Sequence, residues 1–230
     1  MEKEIWVPVT FTHIEYPKGD TLGMILAWFS LLPSFTVISF IPVIVLRRDL
    51  TTIFFFMGMF VNEGVNQVLK RVIAEPRPSR TASTVQWSQY GMPSAHSQFA
   101  GYFAMFVVLL FYVRISVVTF IIPLAKIWKH VLAAVTVLVS LAICYSRHYL
   151  KYHTEKQICA GFLVGLAIGA VWFIILEKFA GPYFPIIASM PICEMLLIKD
   201  YSLIPNTLWC EYHCIKTEMR SRAKKYIRPE

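Results

Sequence analysis

Residues 21–46, TLGMILAWFSLLPSFTVISFIPVIVL, contain no charged side chain and are closed by Arg47-Arg48-Asp49. A bilayer-spanning helix needs about 20 consecutive apolar residues, and this run exceeds that length. Pro33 and Pro42 predict kinks within it rather than an end to it. Working outward, apolar runs recur at 50–70, from His96 to about Arg114, at 130–146 and at 157–177. Hydrophobic residues make up 57% of the 230 and charged residues 16%, well below the roughly 25% charged of soluble domains. In hydrocarbon every backbone N–H and C=O must be satisfied within the chain, and runs of this length do that as helices. The expected fold is all-α, a polytopic transmembrane bundle of about five spanning helices.

Residues 181–198 are also apolar, but Pro182, Pro185, Pro191 and Glu194 interrupt them. They predict an interfacial or re-entrant helix rather than a span. Residues 115–125 are apolar too, and Lys126 and Lys129 mark a turn before the fourth span. Gly161, Gly165 and Gly169 recur every four residues and predict a stripe for close helix packing. The expected organisation is a polar N-terminal segment over 1–20, a membrane domain over 21–200 and a basic tail over 201–230.

The net charge is +8, and the stretch 216–230 carries half of it: six cations against Glu218 and Glu230. No aromatic-basic recognition module accompanies that run, so nucleic acid is not an expected partner; anionic lipid is. Five spans place the 71–95 and 147–156 loops on the side of the N-terminus. Arg47, Arg48, Lys126, Lys129 and the tail fall on the other side, which the positive-inside rule assigns to the cytosol. Five cysteines with no paired spacing argue against a disulfide framework. Cys210, His213 and Cys214 are too few and poorly spaced for a zinc site, so no metal and no cofactor is expected.

Three clusters beside these apolar runs carry the chemistry: Lys70-x6-Arg77-Pro78, then Pro93-Ser94-Ala95-His96, then Ser146-Arg147-x5-His153. They bring three cations, a serine and two histidines to one membrane surface. Arginine forks and a lysine suit the oxygens of a phosphate ester. A hydroxyl and the free N–H groups of a helix start add neutral donors. Imidazole works near pH 7 both as a nucleophile and as an acid. On the second run Glu63, Asn66 and Lys70 are spaced three and four apart and are expected on one helix face. Tyr149 and Tyr152 are expected at the surface, and Ser146 is expected to bond locally beside Arg147. His13, His130, His148 and His213 are read as ordinary polar contacts.

This three-part spacing resembles the signature of the type 2 phosphatidic-acid-phosphatase superfamily of integral membrane lipid phosphatases. Glu15-Tyr16-Pro17, Asn62-Glu63-Gly64-Val65-Asn66, Tyr90-Gly91-Met92-Pro93-Ser94, Ser97-Gln98-Phe99 and Ser202-Leu203-Ile204-Pro205-Asn206 narrow it. They resemble the branch of that superfamily that hydrolyses dolichyl diphosphate in the endoplasmic reticulum, from about Val9 to Tyr212. The resemblance implies that His153 attacks phosphorus to form a phosphohistidine. His96 would then protonate the leaving oxygen and afterwards activate water. Lys70, Arg77, Ser94 and Arg147 would bind the phosphate. The superfamily usually has an Asp four residues after the nucleophile, where it orients the ring; Gln157 stands there in this chain, and its carbonyl can accept a ring N–H. Ala95 replaces a usual Gly, and the superfamily commonly has one more span before the first motif.

The implied activity is metal-independent hydrolysis of a polyprenyl diphosphate lipid, with the catalytic face in the lumen and the tail in the cytosol. A broader lipid phosphate phosphatase, acting on phosphatidate or sphingoid phosphates, shares the same core motifs. A non-catalytic protein that binds or transports a lipid phosphate is a further possibility, against which His96 and His153 both stand.

Overall fold

Asp20 opens the first long helix by accepting a hydrogen bond from Gly23 N–H on Oδ1 at 2.9 Å, satisfying one of the donors that every helix start leaves free. The computed structural model describes residues 6–8, 14–78, 90–114, 123–202, 204 and 207–227. Helix α1 (Thr21–Arg47) keeps Pro33 and Pro42 in its interior. Asp49 caps α2 (Leu50–Ile73) in the same way, accepting from Thr52 N–H at 2.9 Å. Helix α3 (Ala95–Leu109) runs on through a π turn to Arg114. Next come α4 (Pro123–Tyr149) and α5 (Glu155–Ile175), which opens with a capping box between Thr154 and Gln157. Short helices α6 (Phe184–Ala188) and α7 (Pro191–Met195) precede α8 (Thr207–Ile227). A two-stranded antiparallel ribbon, β1 (Trp6–Pro8) and β2 (Glu15–Pro17), precedes the bundle.

Among the described residues four stretches are long and apolar enough to cross a bilayer: Thr21–Arg47, Ala95–Arg114, Ile127–Tyr149 and Glu155–Ala188. Helix α2 has 24 residues, about 36 Å at 1.5 Å per residue, with an apolar first half and a polar second half. The fourth helix is longer than the expected 130–146: it starts at Pro123, so Lys126 and Lys129, expected to mark a turn before it, lie inside α4 instead. The 181–198 stretch does not form a span of its own: its first part, to Ala188, ends the long stretch that begins at Glu155, and α7 has five residues, about a quarter of the length a span needs. The chain then bonds to the α1–α2 turn, with Lys199 N–H on Arg48 O at 2.7 Å and Leu50 N–H on Lys199 O at 3.1 Å. That end of the bundle therefore holds Arg47, Arg48 and the start of the basic tail, whose residues from Thr207 form a helix.

The bundle is held differently at its two ends. Near the α1–α2 turn lies an aromatic core of Phe55, Tyr102, Phe106, Phe173 and Phe184. Its polar tips are satisfied by α2 carbonyls: Tyr102 Oη donates to Phe55 O at 2.8 Å, and Trp172 Nε1 to Phe54 O at 2.9 Å. Towards the other end α3 and α5 meet backbone to backbone. A Cβ on Gly161 would lie 2.6 Å from Ser94 O, one on Gly165 2.0 Å from Gln98 O, and one on Gly169 2.8 Å from Tyr102 O. Lipid offers helices no hydrophobic incentive to associate, so this close packing carries the association. The large side chains left exposed, such as Ile38, Leu46, Leu138 and Leu163, face outward as lipid-contacting residues do.

Gly165→Ala is expected to lower the thermal midpoint in detergent, since overpacking costs about 1–3 kcal/mol and here the obstacle is a backbone carbonyl. Gly64, where a Cβ meets nothing within 4 Å, is the control: Gly64→Ala leaves the midpoint unchanged or slightly raised.

Candidate active site

The polar half of α2 turns inward every fourth residue, so Asn62, Asn66 and Lys70 are buried together. Glu63 sits on the outer surface, bonded to Gln67. The inward face is therefore Asn62-Asn66-Lys70 rather than the expected Glu63-Asn66-Lys70. Asn66 Nδ2 donates to Gln98 Oε1 at 2.8 Å and to Pro93 O at 3.3 Å. Gln98 Nε2 donates to Asn62 O at 2.8 Å and Asn62 Oδ1 at 3.1 Å. Two buried amides thus tie the start of α3 to α2, with Asn66 Oδ1 the one buried amide atom of the pair left without a partner among the described residues.

Ser94 is the N-cap residue of α3, yet its hydroxyl makes no capping bond to the helix. It accepts instead from Ser97 Oγ at 3.2 Å. The first N–H groups of α3, His96 among them, are left without that capping acceptor, and a helix start in this condition attracts anions. Ser94 N–H donates to Gln157 O at 3.1 Å, tying the Pro93–His96 segment to the first turn of α5.

The α4–α5 connection is tight. Tyr152 N–H and His153 N–H both reach back to Arg147 O, at 3.1 and 3.3 Å, which folds His153 over the end of α4. Arg147 is 4% exposed. Its Nη1 donates to Ser30 Oγ at 3.2 Å, and its guanidinium lies 4.1 Å from the Tyr152 ring centroid, a cation–π distance. Ser30 and Ser146 share a 2.8 Å hydrogen bond, and Ser146 Oγ also donates to Ile143 O at 2.6 Å. Tyr152, expected at the surface, instead packs beneath Arg147, and its hydroxyl accepts from Glu15 N–H at 2.9 Å. The N-terminal ribbon thereby leans on the site.

Lys70, Arg77 and Arg147 have no carboxylate partner among the described residues, where ion pairs join Arg114 to Glu177, His148 to Glu155 and Arg222 to Glu218. Arg77 Nε and Arg147 Nε are buried with no acceptor there. The three cations and two histidines act on one another: His96 feels Arg147, His153, Lys70 and Arg77. The chain thus concentrates positive charge at the convergence of three loops. Among the described residues no group of three or more His, Cys, Asp or Glu side chains is arranged to hold a metal.

His153 is buried, and its Nδ1 lies 3.1 Å from Gln157 Oε1. The direction of that bond follows from the amide's other end. Gln157 Nε2 faces two acceptors, Glu75 Oε1 at 2.9 Å and Pro76 O at 3.0 Å, so Nε2 is the donor and Oε1 the acceptor. Nδ1 must then carry the proton, which leaves the Nε2 lone pair of His153 available. Burial first, then the charges of Arg147 and Arg77, hold this imidazole well below its usual 6.5. His153 is therefore neutral at pH 7.

All seven residues singled out from the sequence, Lys70, Arg77, Ser94, His96, Arg147, His153 and Gln157, lie at this end of the bundle. His148 is exposed and faces Glu155 at 3.7 Å; His130 bonds Tyr112, and His213 packs with its ring tilted against Trp209, away from the site. His13 and residues 79–89 lie outside the described residues. Sequence reasoning missed Ser30, Glu75 and the supporting parts played by Asn62 and Gln98. Only the four-residue spacing of Asn62, Asn66 and Lys70 offered a signal for any of them. An open basin of about 610 Å3, bordered by Pro78, His148 and Thr154 among others, reaches the site at His153. Below it an apolar groove of about 240 Å3 lies between α1, α3 and α4, lined by Leu32, Phe99, Phe103, Val139 and Ile143.

Residues 51–180 match the PAP2 superfamily. Dolichyldiphosphatase 1 of Homo sapiens is 43% identical over 220 residues, covering 96% of this chain and 92% of that protein. Lipid phosphate phosphatase gamma of Arabidopsis thaliana is 35% identical, covering 89% and 88%. The crystal structure of a transmembrane PAP2-type phosphatidylglycerolphosphate phosphatase from Bacillus subtilis shares the fold, with a TM-score of 0.55 at 21% identity over 69% of this chain and 78% of that one. With its three motifs gathered at one end of a multi-pass helical bundle, the chain belongs to the PAP2 superfamily.

Proposed function

We propose that this protein hydrolyses dolichyl diphosphate to dolichyl phosphate and inorganic phosphate in the endoplasmic-reticulum membrane, returning the lipid carrier for protein N-glycosylation. The observation that carries this reading is the cluster of Lys70, Arg77 and Arg147, unpaired with any described carboxylate, around a neutral His153 whose Nδ1 is already committed to Gln157. Such a cluster is self-repelling until an anion enters it. The 43% identity to human dolichyldiphosphatase 1 and the apolar groove beneath the basin favour a phosphate group carried on a long lipid. Ile143 and Phe99 of that groove lie one helical turn from Arg147 and Ala95, so the first isoprene units would continue into the bilayer from the bound head group.

His153 Nε2 attacks the terminal phosphorus in line, forming an N–P bond as the anhydride P–O bond breaks. His96 gives its proton to the leaving oxygen of dolichyl phosphate. In the second step His96 takes a proton from water, which attacks phosphorus and releases inorganic phosphate from His153. Arg77, Arg147, Lys70, the Ser94 hydroxyl and the start of α3 hold the equatorial oxygens, where charge must be stabilised in both transition states. Gln157 keeps the His153 ring in the attacking tautomer. The three cations supply the positive charge for which many phosphoryl-transfer enzymes use a divalent ion. By charge distribution the catalytic face is lumenal and the basic tail cytosolic.

A second reading, a lipid phosphatase of broad specificity, draws support from the 35% identity to a lipid phosphate phosphatase. Purified protein in detergent with chelator present is expected to release phosphate from dolichyl diphosphate and a short prenyl diphosphate far faster than from dolichyl phosphate or phosphatidate. His153→Ala is expected to abolish this release. Preference for phosphatidate moves the assignment to the broader enzyme, and activity that needs added metal contradicts the cation mechanism.

Arg147→Lys keeps the charge but loses the fork, and kcat is expected to fall by about 10²–10³, as on loss of one preorganised donor. For pH, His153 must be unprotonated to attack, and its pKa lies below 6.5. The acid limb of kcat/KM attributable to the enzyme is therefore expected below that value. An acid limb at or above it, after correction for substrate ionisation, contradicts the assignment.

A further inference from the structure

We propose that Glu75 is a positioning residue for this reaction, acting on His153 through the Gln157 amide. The inference rests on the reading of His153 as the nucleophile. The superfamily's usual Asp would touch the imidazole directly; here an amide touches it and a carboxylate stands behind the amide, 82 residues away in the chain.

The local structure leaves the amide no freedom. Gln157 is fully buried, and one carboxylate oxygen and one carbonyl oxygen receive its two N–H groups. Its own oxygen receives His153 Nδ1 at 3.1 Å and Thr154 N–H at 3.4 Å. A neutral amide in isolation could rotate by half a turn and present its NH2 to the imidazole. The ring would then need the other tautomer, with its proton on the attacking nitrogen. The Glu75 carboxylate, which only accepts, prevents that rotation. It also polarises the amide, so that Oε1 is a better acceptor for the imidazolium that forms during attack.

Glu75 is itself held by backbone. Ala74 ends α2 in the left-handed conformation (φ 51), with its N–H on Lys70 O at 3.0 Å, and turns the chain so that residue 75 faces α5. Gly91 N–H donates to Glu75 O at 2.7 Å, and Pro76 bridges to Tyr90. A Cβ on Gly91 would lie 2.7 Å from Gln157 Oε1, so the Tyr90–Gly91 strand closes the remaining side of the amide. The first and second motif loops thus share one task besides phosphate binding, which is to grip this side chain. Other groups that face His153 are Arg147, Arg77, Lys70 and His96. All are cationic or titrate to cations, so Glu75 is the described carboxylate bonded into the ring's own network.

The test exchanges the two functional groups. Wild type, Glu75→Ala, Glu75→Gln, Gln157→Glu and the double variant Glu75→Gln/Gln157→Glu are assayed for dolichyl diphosphate hydrolysis across pH, with folding checked by thermal midpoint. Gln157→Glu alone places two carboxylates in contact and is expected to lower kcat by about 10²-fold, the scale of a misplaced reacting group. The double variant restores a donor to the contact between positions 75 and 157, while the lost bond to Pro76 O is common to both variants, and it is expected to regain at least about ten-fold over Gln157→Glu. Its carboxylate then touches the imidazole, raises the imidazolium pKa and moves the acid limb of kcat/KM to higher pH than in wild type. A folded double variant no more active than Gln157→Glu overturns the proposal.

If Gln157→Glu fails to fold, the Glu75 variants decide. Glu75→Ala lowering kcat about ten-fold or more with KM nearly constant, and Glu75→Gln retaining clearly more activity, supports the role. Glu75→Ala with wild-type kcat and pH profile overturns it. A wild-type protein that releases phosphate from no substrate removes the underlying reading of His153, whereas an active wild type with unaffected variants removes Glu75 alone.

Discussion

Three cations gathered beside two histidines, without a described carboxylate to neutralise them, are the constraint on which the rest of the structure depends. Like charges a few ångströms apart at a protein surface repel by a few kcal/mol, and the bundle must be rigid enough to hold them. The rigidity is visible in who holds what. Lys70 is fixed by a buried face of α2 that is locked to α3 through Asn66 and Gln98. Arg147 is fixed between Ser30 and the Tyr152 ring. Such a site is complementary to an anion before any anion arrives, and in the proposed reaction it would be most complementary to the phosphoryl group in flight.

The division of the bundle into an aromatic end and a polar end follows from the same demand. Tyr102, Phe106 and Phe173 give α2, α3 and α5 a packed anchor far from the chemistry. Gly161 and Gly165 then bring the α3 backbone against α5, so that Ser94 N–H can bond Gln157 O. The start of α3, proposed to face phosphate, and Gln157, proposed to orient the nucleophile, become neighbours through that one contact. Membrane helices with larger residues along this stripe would stand further apart, and the two motifs would not share a site.

Much of this was legible in the sequence because its signals are local. Uncharged runs such as 21–46 announce spans, prolines in 181–198 announce their interruption, and the three motifs announce phosphate chemistry. The i, i+4 spacing of Gly161, Gly165 and Gly169 announced close packing, and the structure places backbone carbonyls there. The errors and omissions share a different cause. Glu63 and Asn62 lie on adjacent faces of α2, and periodicity alone could not say which faced the bundle. Tyr152 looked like an interfacial aromatic because nothing in its neighbourhood reveals that Arg147 folds back over it. Ser30 and Glu75 act on residues 117 and 82 positions away, and such pairings exist only once the helices are assembled.

The stereochemical course at phosphorus separates one in-line displacement from two. A substrate made chiral at its terminal phosphorus by oxygen isotopes and sulfur is hydrolysed, and the configuration of the released thiophosphate is read. Attack by His153 followed by attack of water is two in-line displacements, each inverting, so the account predicts net retention. Net inversion would mean that water attacks phosphorus directly, and the role given to His153 would be contradicted.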